Sequence, residues 1–153
     1  MIVVSDTSPV TALLTVGKAD LLRTLFSDVV VPEAVRDELK RSHPRLPDWL
    51  RVVRVQDRER AEAYRHEVDP GEAEAIALAR ELGADRLLID ERRGRKLAVR
   101  EGVSVIGLVG VVLLARSRGL IPSARDLLQR LESEAGVYLT PELRERALAS
   151  VGE

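Results

Sequence analysis

Short apolar runs alternate with longer helical patterns along this chain, and that alternation restricts the fold more than any other feature of the sequence. Such an alternation is typical of a parallel sheet whose faces are covered by helices. The sequence therefore predicts an α/β protein. Strands are predicted at residues 2–5, 28–31, 86–90 and 103–106, with residues 52–55 as a further candidate.

The segments between the predicted strands carry helical signals. Residues 7–9 predict a helix start with a hydroxyl cap, and Pro32 opens a helix whose buried side is Val35 and Leu39. Residues 107–115 are apolar on every side, so we expect that helix to be the most buried one. Further helices are predicted at residues 19–26, 57–67, 72–82, 91–100, 123–134 and 141–148.

The amino-acid composition excludes several classes of protein. A chain of 153 residues that is 45% apolar and 32% charged predicts one compact domain over residues 1–153, with C-terminal helices from about residue 123. The absence of cysteine excludes a disulfide framework, a thiolate zinc site and a cysteine nucleophile. No apolar run is long enough for a membrane span and no targeting signal is visible, so we expect a cytoplasmic protein.

Four carboxylates occupy positions at which an α/β fold would leave them exposed. Asp6 and Asp90 directly follow predicted strands, and open parallel sheets bind ligands beyond the carboxyl ends of their strands. Glu38 lies in the C-terminal half of one predicted helix, and Glu72 begins another. Clustered carboxylates repel one another unless a cation neutralises them, so convergence of these four predicts an oxygen-ligated Mg²⁺ or Mn²⁺.

Each acid taken singly also has an ordinary explanation. Asp6 and Asp90 would cap the helices that follow them, Glu72 would be a first-turn partner of a helix dipole, and Glu38 would be a solvated helical residue. These alternatives stay open on the residues alone.

Groups that could contact nucleic acid lie beside two of the acids. Arg92, Arg93 and Arg95 follow Asp90 and could track a phosphate backbone, although Glu91 and Arg95 also have the spacing of a helical ion pair. The hydroxyls of Thr7 and Ser8 could bond a metal ligand or a phosphate, with capping as the alternative for Ser8. The net charge of −1 gives no overall attraction to nucleic acid. Aromatic residues that could stack on bases are scarce: Phe26, Trp49, Tyr64 and Tyr138.

Four ordered blocks of the sequence resemble the PIN domain and, within it, a prokaryotic branch related to toxin–antitoxin ribonucleases. The blocks are residues 3–9, 31–39, 69–79 and 88–98, and the resemblance continues through residues 102–114. It implies a three-layer α/β/α fold with a mostly parallel sheet and a ribonuclease site that uses Mg²⁺ or Mn²⁺. Matched block to block, the catalytic and metal-binding acids fall on Asp6, Glu38, Glu72 and Asp90, with Glu91 as an outer member and Glu74 as the alternative to Glu72.

The resemblance also implies a substrate and partners. The expected reaction is hydrolysis of phosphodiester bonds in single-stranded or structured RNA with one or two metal ions. Many small PIN proteins are toxins that dimerise and are silenced by an antitoxin protein, so a homodimer and an antitoxin partner are expected. The alternative is a non-catalytic PIN-like module that binds RNA or protein. The absence of a hydroxyl two residues before Asp90 favours that alternative, and retention of all four acids opposes it.

Overall fold

The computed structural model describes residues 1–153 as five strands and nine helices. The strands are β1 (Ile2–Ser5), β2 (Asp28–Val31), β3 (Leu50–Val52), β4 (Arg86–Leu88) and β5 (Val105–Ile106). The helices are α1 (Thr7–Thr15), α2 (Asp20–Leu25), α3 (Glu33–Ser42), α4 (Arg58–Tyr64), α5 (Pro70–Leu82), α6 (Arg92–Arg100), α7 (Leu108–Ser117), α8 (Ala124–Ala135) and α9 (Pro141–Ser150).

All five strands are parallel and lie in the order β3-β2-β1-β4-β5. The central strand β1 pairs on one side with β2, where Val3 faces Val29, and on the other with β4, where Val4 faces Leu87. These strands are almost wholly apolar and buried, as a parallel sheet with both faces covered requires. The helices flank the sheet, which confirms the predicted three-layer α/β/α fold.

Three strands differ in extent from their predicted ranges. β3 lies at Leu50–Val52 rather than at residues 52–55, because its partner β2 ends at Val31 and Pro32 cannot continue the ladder. β4 and β5 are each shorter than predicted, although hydrogen bonds continue beyond them, from the N–H of Ile89 to the carbonyl of Ile106 at 3.0 Å. The chain therefore leaves the regular ladder just before Asp90.

Helix α5, not α7, is the most buried helix, so the expectation for residues 107–115 is wrong. Eight of the 13 residues of α5 are buried, against four of the ten residues of α7. The alanines of α5 allow neighbouring elements to approach it closely, whereas Val109, Leu113 and Leu114 of α7 remain partly exposed. An apolar surface all round a helix thus predicts burial only where other elements cover every side.

The C-terminal helices are tied to the rest of the fold by Glu153. Its carboxylate accepts hydrogen bonds from the N–H of Ala124 at 2.7 Å, the N–H of Arg125 at 3.2 Å and the hydroxyl of Ser123 at 3.0 Å. The bond from Ala124 is the main cause that lowers the pKa of Glu153 to about 2. Glu153, three residues after the end of α9, thereby caps the start of α8.

The apolar core is continuous through the molecule. It extends from Val3 and Val4 of the sheet to Leu128 of α8 and Leu148 of α9. The C-terminal helices therefore pack on the same core as the sheet. None of the nine helices combines the length and the apolar character that crossing a membrane would require.

Candidate functional site

The strand order reverses between β1 and β4, which makes the carboxyl edge of these two strands the topological switch point of the sheet. The N–H of Asp6 donates to the carbonyl of Leu88 at 2.9 Å, so the segments that leave the two strands are held side by side. Asp6 and Asp90 consequently lie on the same rim. Open α/β sheets bind their ligands at this position.

Asp6 is almost completely buried, with 5% of its surface exposed. It occupies the cap position of α1 but makes no cap hydrogen bond, so capping does not account for it. Loss of hydration is the main cause that raises the pKa of Asp6 to about 7; the backbone N–H of Thr7 opposes it, and the charges of Asp69, Glu38 and Asp90 act in the same direction as burial. Ionisation of Asp6 at neutral pH therefore lowers the free energy of unfolding.

Glu38 reaches this rim from α3, whose residues Val35 and Leu39 are buried as predicted. The hydroxyl of Thr7 donates to Glu38 Oε2 at 2.8 Å. The expected hydroxyl cap of α1 is therefore wrong, because no side chain caps that helix and Thr7 instead orients a candidate acid. Glu38 is half-buried and hydrogen-bonded rather than freely solvated.

Gly71, in the first turn of α5, lies directly against the carboxylate of Glu38. A Cβ at this position would collide with Glu38 Oε1 and would lie 3.1 Å from its Cδ. The carboxylate is the mobile end of a side chain, so it can move away from an added methyl group without a change in the backbone. Because Gly71 has no side chain, the carboxylate of Glu38 can occupy the space beside it.

We expect Gly71→Ala to fold normally and to weaken Mn²⁺ binding by about 10-fold, the lower end of the range for residues that position a metal ligand. The added methyl group displaces Glu38 from the rim while the helix gains an alanine. Isothermal titration calorimetry measures the affinity. In a Glu38→Gln background the same Gly71→Ala change should have no further effect, and an equal additional loss there would show that Gly71 does not act through Glu38.

Glu72 is buried, with 7% of its surface exposed, in the first turn of α5. Its N–H donates to the carboxylate of Asp69, the cap of that helix, at 2.8 Å. Burial is the main cause that raises the pKa of Glu72 to about 8, followed by the charges of Asp69 and Asp6, a hydrogen bond with Asp69 and the charge of Glu91. Helix α6 passes close to it, since a Cβ on Gly94 would lie 3.2 Å from Glu72 Oε2.

Glu74, the alternative third acid, has a different place in the structure. Its Oε1 accepts the backbone N–H of Ala34 at 3.1 Å, and its Oε2 lies 3.5 Å from the guanidinium of Arg58. Glu74 therefore anchors the first turn of α3. Glu72, by contrast, lies within the electrostatic reach of Asp6.

Asp90 follows β4 and is accessible at the surface. Its Oδ1 accepts the N–H of Leu108 at 2.8 Å, so it caps α7 rather than α6, the next helix in the chain. Desolvation by the surrounding protein raises the pKa of Asp90, while the N–H of Leu108 and the charge of Arg95 lower it. A Cβ on Gly107 would lie 2.9 Å from Asp90 Oδ1. Residue 107 therefore has to be glycine if Asp90 is to keep this position.

Asp69 is a fifth acid of the cluster that sequence reasoning missed. It is the largest charge contribution to the raised pKa of both Asp6 and Glu72. The signal was present in Asp69-Pro70-Gly71, but a cap before a proline explains that pattern completely. Only the packing of α5 against the sheet brings the cap next to Asp6.

Three clefts surround the acids. The first, of about 430 Å³, contains Asp69 and Glu72 together with Glu91 and Arg93. The second, of about 540 Å³, places Asp90 beside Arg92, Arg95, Lys96, Val99 and Val105. The third, of about 560 Å³, contains Thr7, Ser8 and Asp90 and is otherwise mainly apolar. Eight of the ten residues suggested for metal or nucleic-acid contact line these clefts; Asp6 and Glu38 line none of them.

Two details of this basic region differ from the sequence interpretation. Arg95 does not pair with Glu91; its guanidinium donates to the carbonyl of Ile89 at 3.0 Å and stands near Asp90. Ser8 is exposed and caps no helix, so its hydroxyl is free at the edge of the third cleft.

The acids have the chemistry of a site for a hard divalent cation. They offer several carboxylate oxygens, and none of Asp6, Glu38, Asp69, Glu72 and Asp90 forms a salt bridge with lysine, arginine or histidine. No three of these side chains are arranged closely enough to share one ion. The donor set therefore fits Mg²⁺ or Mn²⁺ in kind, but the side chains are not in a ligating arrangement.

Comparison with known proteins gives one clear result. A family model described as a PIN domain matches residues 2–153. A search of curated proteins found no match. The matched range includes all five acids and also the C-terminal helices α8 and α9.

Proposed function

Because this chain belongs to the PIN domain family, whose members are generally nucleases that use divalent metals, we propose that it is a ribonuclease dependent on Mg²⁺ or Mn²⁺. The observation that carries the proposal is the group of acids at the switch point between β1 and β4, none of which forms a salt bridge. Burial and the neighbouring carboxylates raise the pKa of Asp6 and of Glu72, so their ionised forms are unfavourable without a cation. A dication bound among them would relieve that repulsion.

Phosphodiester hydrolysis explains why such an arrangement would be retained. The anionic oxygens of the phosphate repel a nucleophile, and a bound dication neutralises that charge and makes water a better nucleophile. Asp6 and Asp90 would hold the ion from the rim of the sheet. Asp90 is kept in place by the N–H of Leu108, which leaves its second oxygen free.

Glu38 and Glu72 are the candidates for moving the proton of the attacking water. Glu38 Oε2 already accepts the hydroxyl of Thr7, which holds the carboxylate toward the rim. Burial among the other acids raises the pKa of Glu72, and a dication held nearby would favour its ionised form, whose carboxylate could then accept that proton. We assign this role to Glu72 and a positioning role to Thr7.

The test is cleavage of a fluorescent single-stranded RNA by purified protein in Mn²⁺ or Mg²⁺, compared with EDTA. We expect metal-dependent cleavage that falls by more than 100-fold in Asp90→Asn, since loss of a ligand should exceed the roughly 10–100-fold effect of outer-shell residues. Asp126→Asn is the matched control, because Asp126 is exposed at the start of α8. Equal cleavage by wild type and Asp90→Asn would indicate a contaminating nuclease, and no cleavage by either would favour a non-catalytic RNA-binding or protein-binding module.

We also propose that the enzyme acts in the cytoplasm as the toxin of a toxin–antitoxin pair and forms a homodimer. The support is family membership together with two partly exposed apolar elements: β5, a short strand at the sheet edge, and one side of α7. Light scattering on the purified protein tests the dimer, and a monomeric mass at micromolar concentration would contradict it. A small neighbouring gene whose product blocks RNA cleavage would establish the pair.

A further inference from the structure

The third cleft is formed by parts of the chain that lie far apart in sequence. One wall is the first two turns of α1, another is the start of α7, and the third is the segment from the end of α8 to the start of α9. Its volume of about 560 Å³ is within the range of small-molecule pockets, roughly 300–1,000 Å³. Eight of the 13 lining residues are apolar, among them Leu108, Val137 and Tyr138, and Asp90 also lines the cleft.

Tyr138 lines this cleft but is not part of the apolar core. It is 83% exposed, and neither its ring nor its hydroxyl is used in the core. Its backbone is nevertheless well anchored, because Leu139 is buried and the N–H of Val137 donates to the carbonyl of Leu131 at 3.1 Å. An aromatic ring on an anchored segment loses little conformational freedom when a flat ligand stacks on it.

Asp90 borders both this apolar cleft and the basic cleft formed with Arg92, Arg95 and Lys96. One acid of the proposed metal site therefore has a cationic surface on one side and an aromatic, apolar surface on the other. A nucleotide has the matching composition, since its phosphate is anionic and its base is flat and largely apolar. An apolar protein segment would fill the third cleft but would leave the basic cleft beside Asp90 without a complementary group.

We propose that the third cleft is a nucleobase subsite, in which an unpaired base next to the scissile phosphate stacks on Tyr138. The proposal rests on the ribonuclease function proposed above and adds a substrate class to it. A base can enter the cleft only if it is not paired in a duplex, so the subsite selects single-stranded RNA. Ser8, exposed at the mouth of the cleft, is placed to contact the sugar or phosphate of the same nucleotide.

The experiment separates base stacking from cleavage. A single-stranded RNA that carries one 2-aminopurine is titrated into Asp6→Asn protein in Mg²⁺, so that binding is observed without hydrolysis. We expect the fluorescence of the base analogue to be quenched on binding, and Tyr138→Ala to abolish the quenching and weaken binding by between about 5- and 100-fold. Tyr138→Phe should retain both effects, because the ring and not the hydroxyl does the stacking.

Leu120→Ala is the control, since Leu120 is an exposed apolar residue outside the three clefts. Unchanged quenching and affinity in Tyr138→Ala would overturn the subsite and would leave the cleft to a protein partner. Equal binding of duplex and single-stranded RNA would overturn it too. If the wild-type protein quenches the base analogue but does not cleave RNA in Mn²⁺, the ribonuclease proposal fails while the nucleobase subsite stands.

Discussion

In metal-free buffer at pH 8, the Asp6→Asn protein is expected to unfold at a higher temperature than the wild type. Asp6 is buried with a pKa of about 7, against an ordinary value near 3.8, so its ionisation at pH 8 opposes folding. A shift of this size corresponds to about 4 kcal/mol, and the uncharged amide removes most of that penalty. Differential scanning calorimetry should show a rise on the order of 10 °C for a domain of this size.

The same substitution should abolish RNA cleavage, because it removes a ligand of the proposed metal. A variant that is more stable and inactive is the expected sign of a site whose charges oppose folding. Asp126→Asn, which removes an exposed acid, should change neither property. A lower unfolding temperature for Asp6→Asn at pH 8 would mean that the carboxylate of Asp6 stabilises the fold, contrary to the geometry of its surroundings.

The second large effect is a loss of stability of the metal-free wild type as pH rises. The pKa of Asp6 is raised to about 7 and that of Glu72 to about 8, so between the ordinary carboxyl values and these values the folded state binds more protons than the unfolded state. Stability therefore decreases with rising pH across that window and levels off above about pH 9. From pH 6 to pH 8 the expected loss is on the order of 3 kcal/mol.

Mn²⁺ should reverse this trend, because it binds the ionised carboxylates and stabilises the folded state that holds them. We expect the affinity for Mn²⁺ to rise from pH 6 to pH 8 and binding to release protons. Calorimetric titrations in two buffers of different ionisation enthalpy measure the number of protons. A double variant, Asp6→Asn with Glu72→Gln, should have a flatter stability profile, and an unchanged profile would assign the pH dependence to other groups.

The sequence was sufficient to place the two aspartates, because the ends of parallel strands meet at one edge of a sheet. Asp6 and Asp90 follow β1 and β4, which are neighbours, and no knowledge of side-chain packing was needed. Glu38 and Glu72 could be named as candidates from their places on predicted helices and from the family resemblance, but neither source shows how their side chains reach the rim. The bond from Thr7 to Glu38 joins residues 31 positions apart, and local patterns carry no information about such a contact.

The errors also have physical causes. The apolar composition of residues 107–115 predicts the most buried helix, but composition does not say whether other elements cover a helix, and one side of α7 is only partly covered. Asp69 was overlooked because capping explains it locally, whereas its effect on Asp6 depends on the tertiary approach of α5 to β1. Long-range packing decided every feature of the site that the chain pattern did not predict.

Helix α5 carries two acids with different structural roles, so substitutions in the family should differ between the two positions. Glu72 faces the acidic cluster, while Glu74, two positions later, receives the N–H of Ala34 and so aligns the helix that delivers Glu38. Substitution at position 74 would misalign a site residue that it never touches. Relatives lacking an acid there should therefore have acquired a compensating acceptor near the first turn of α3, and the two positions should covary.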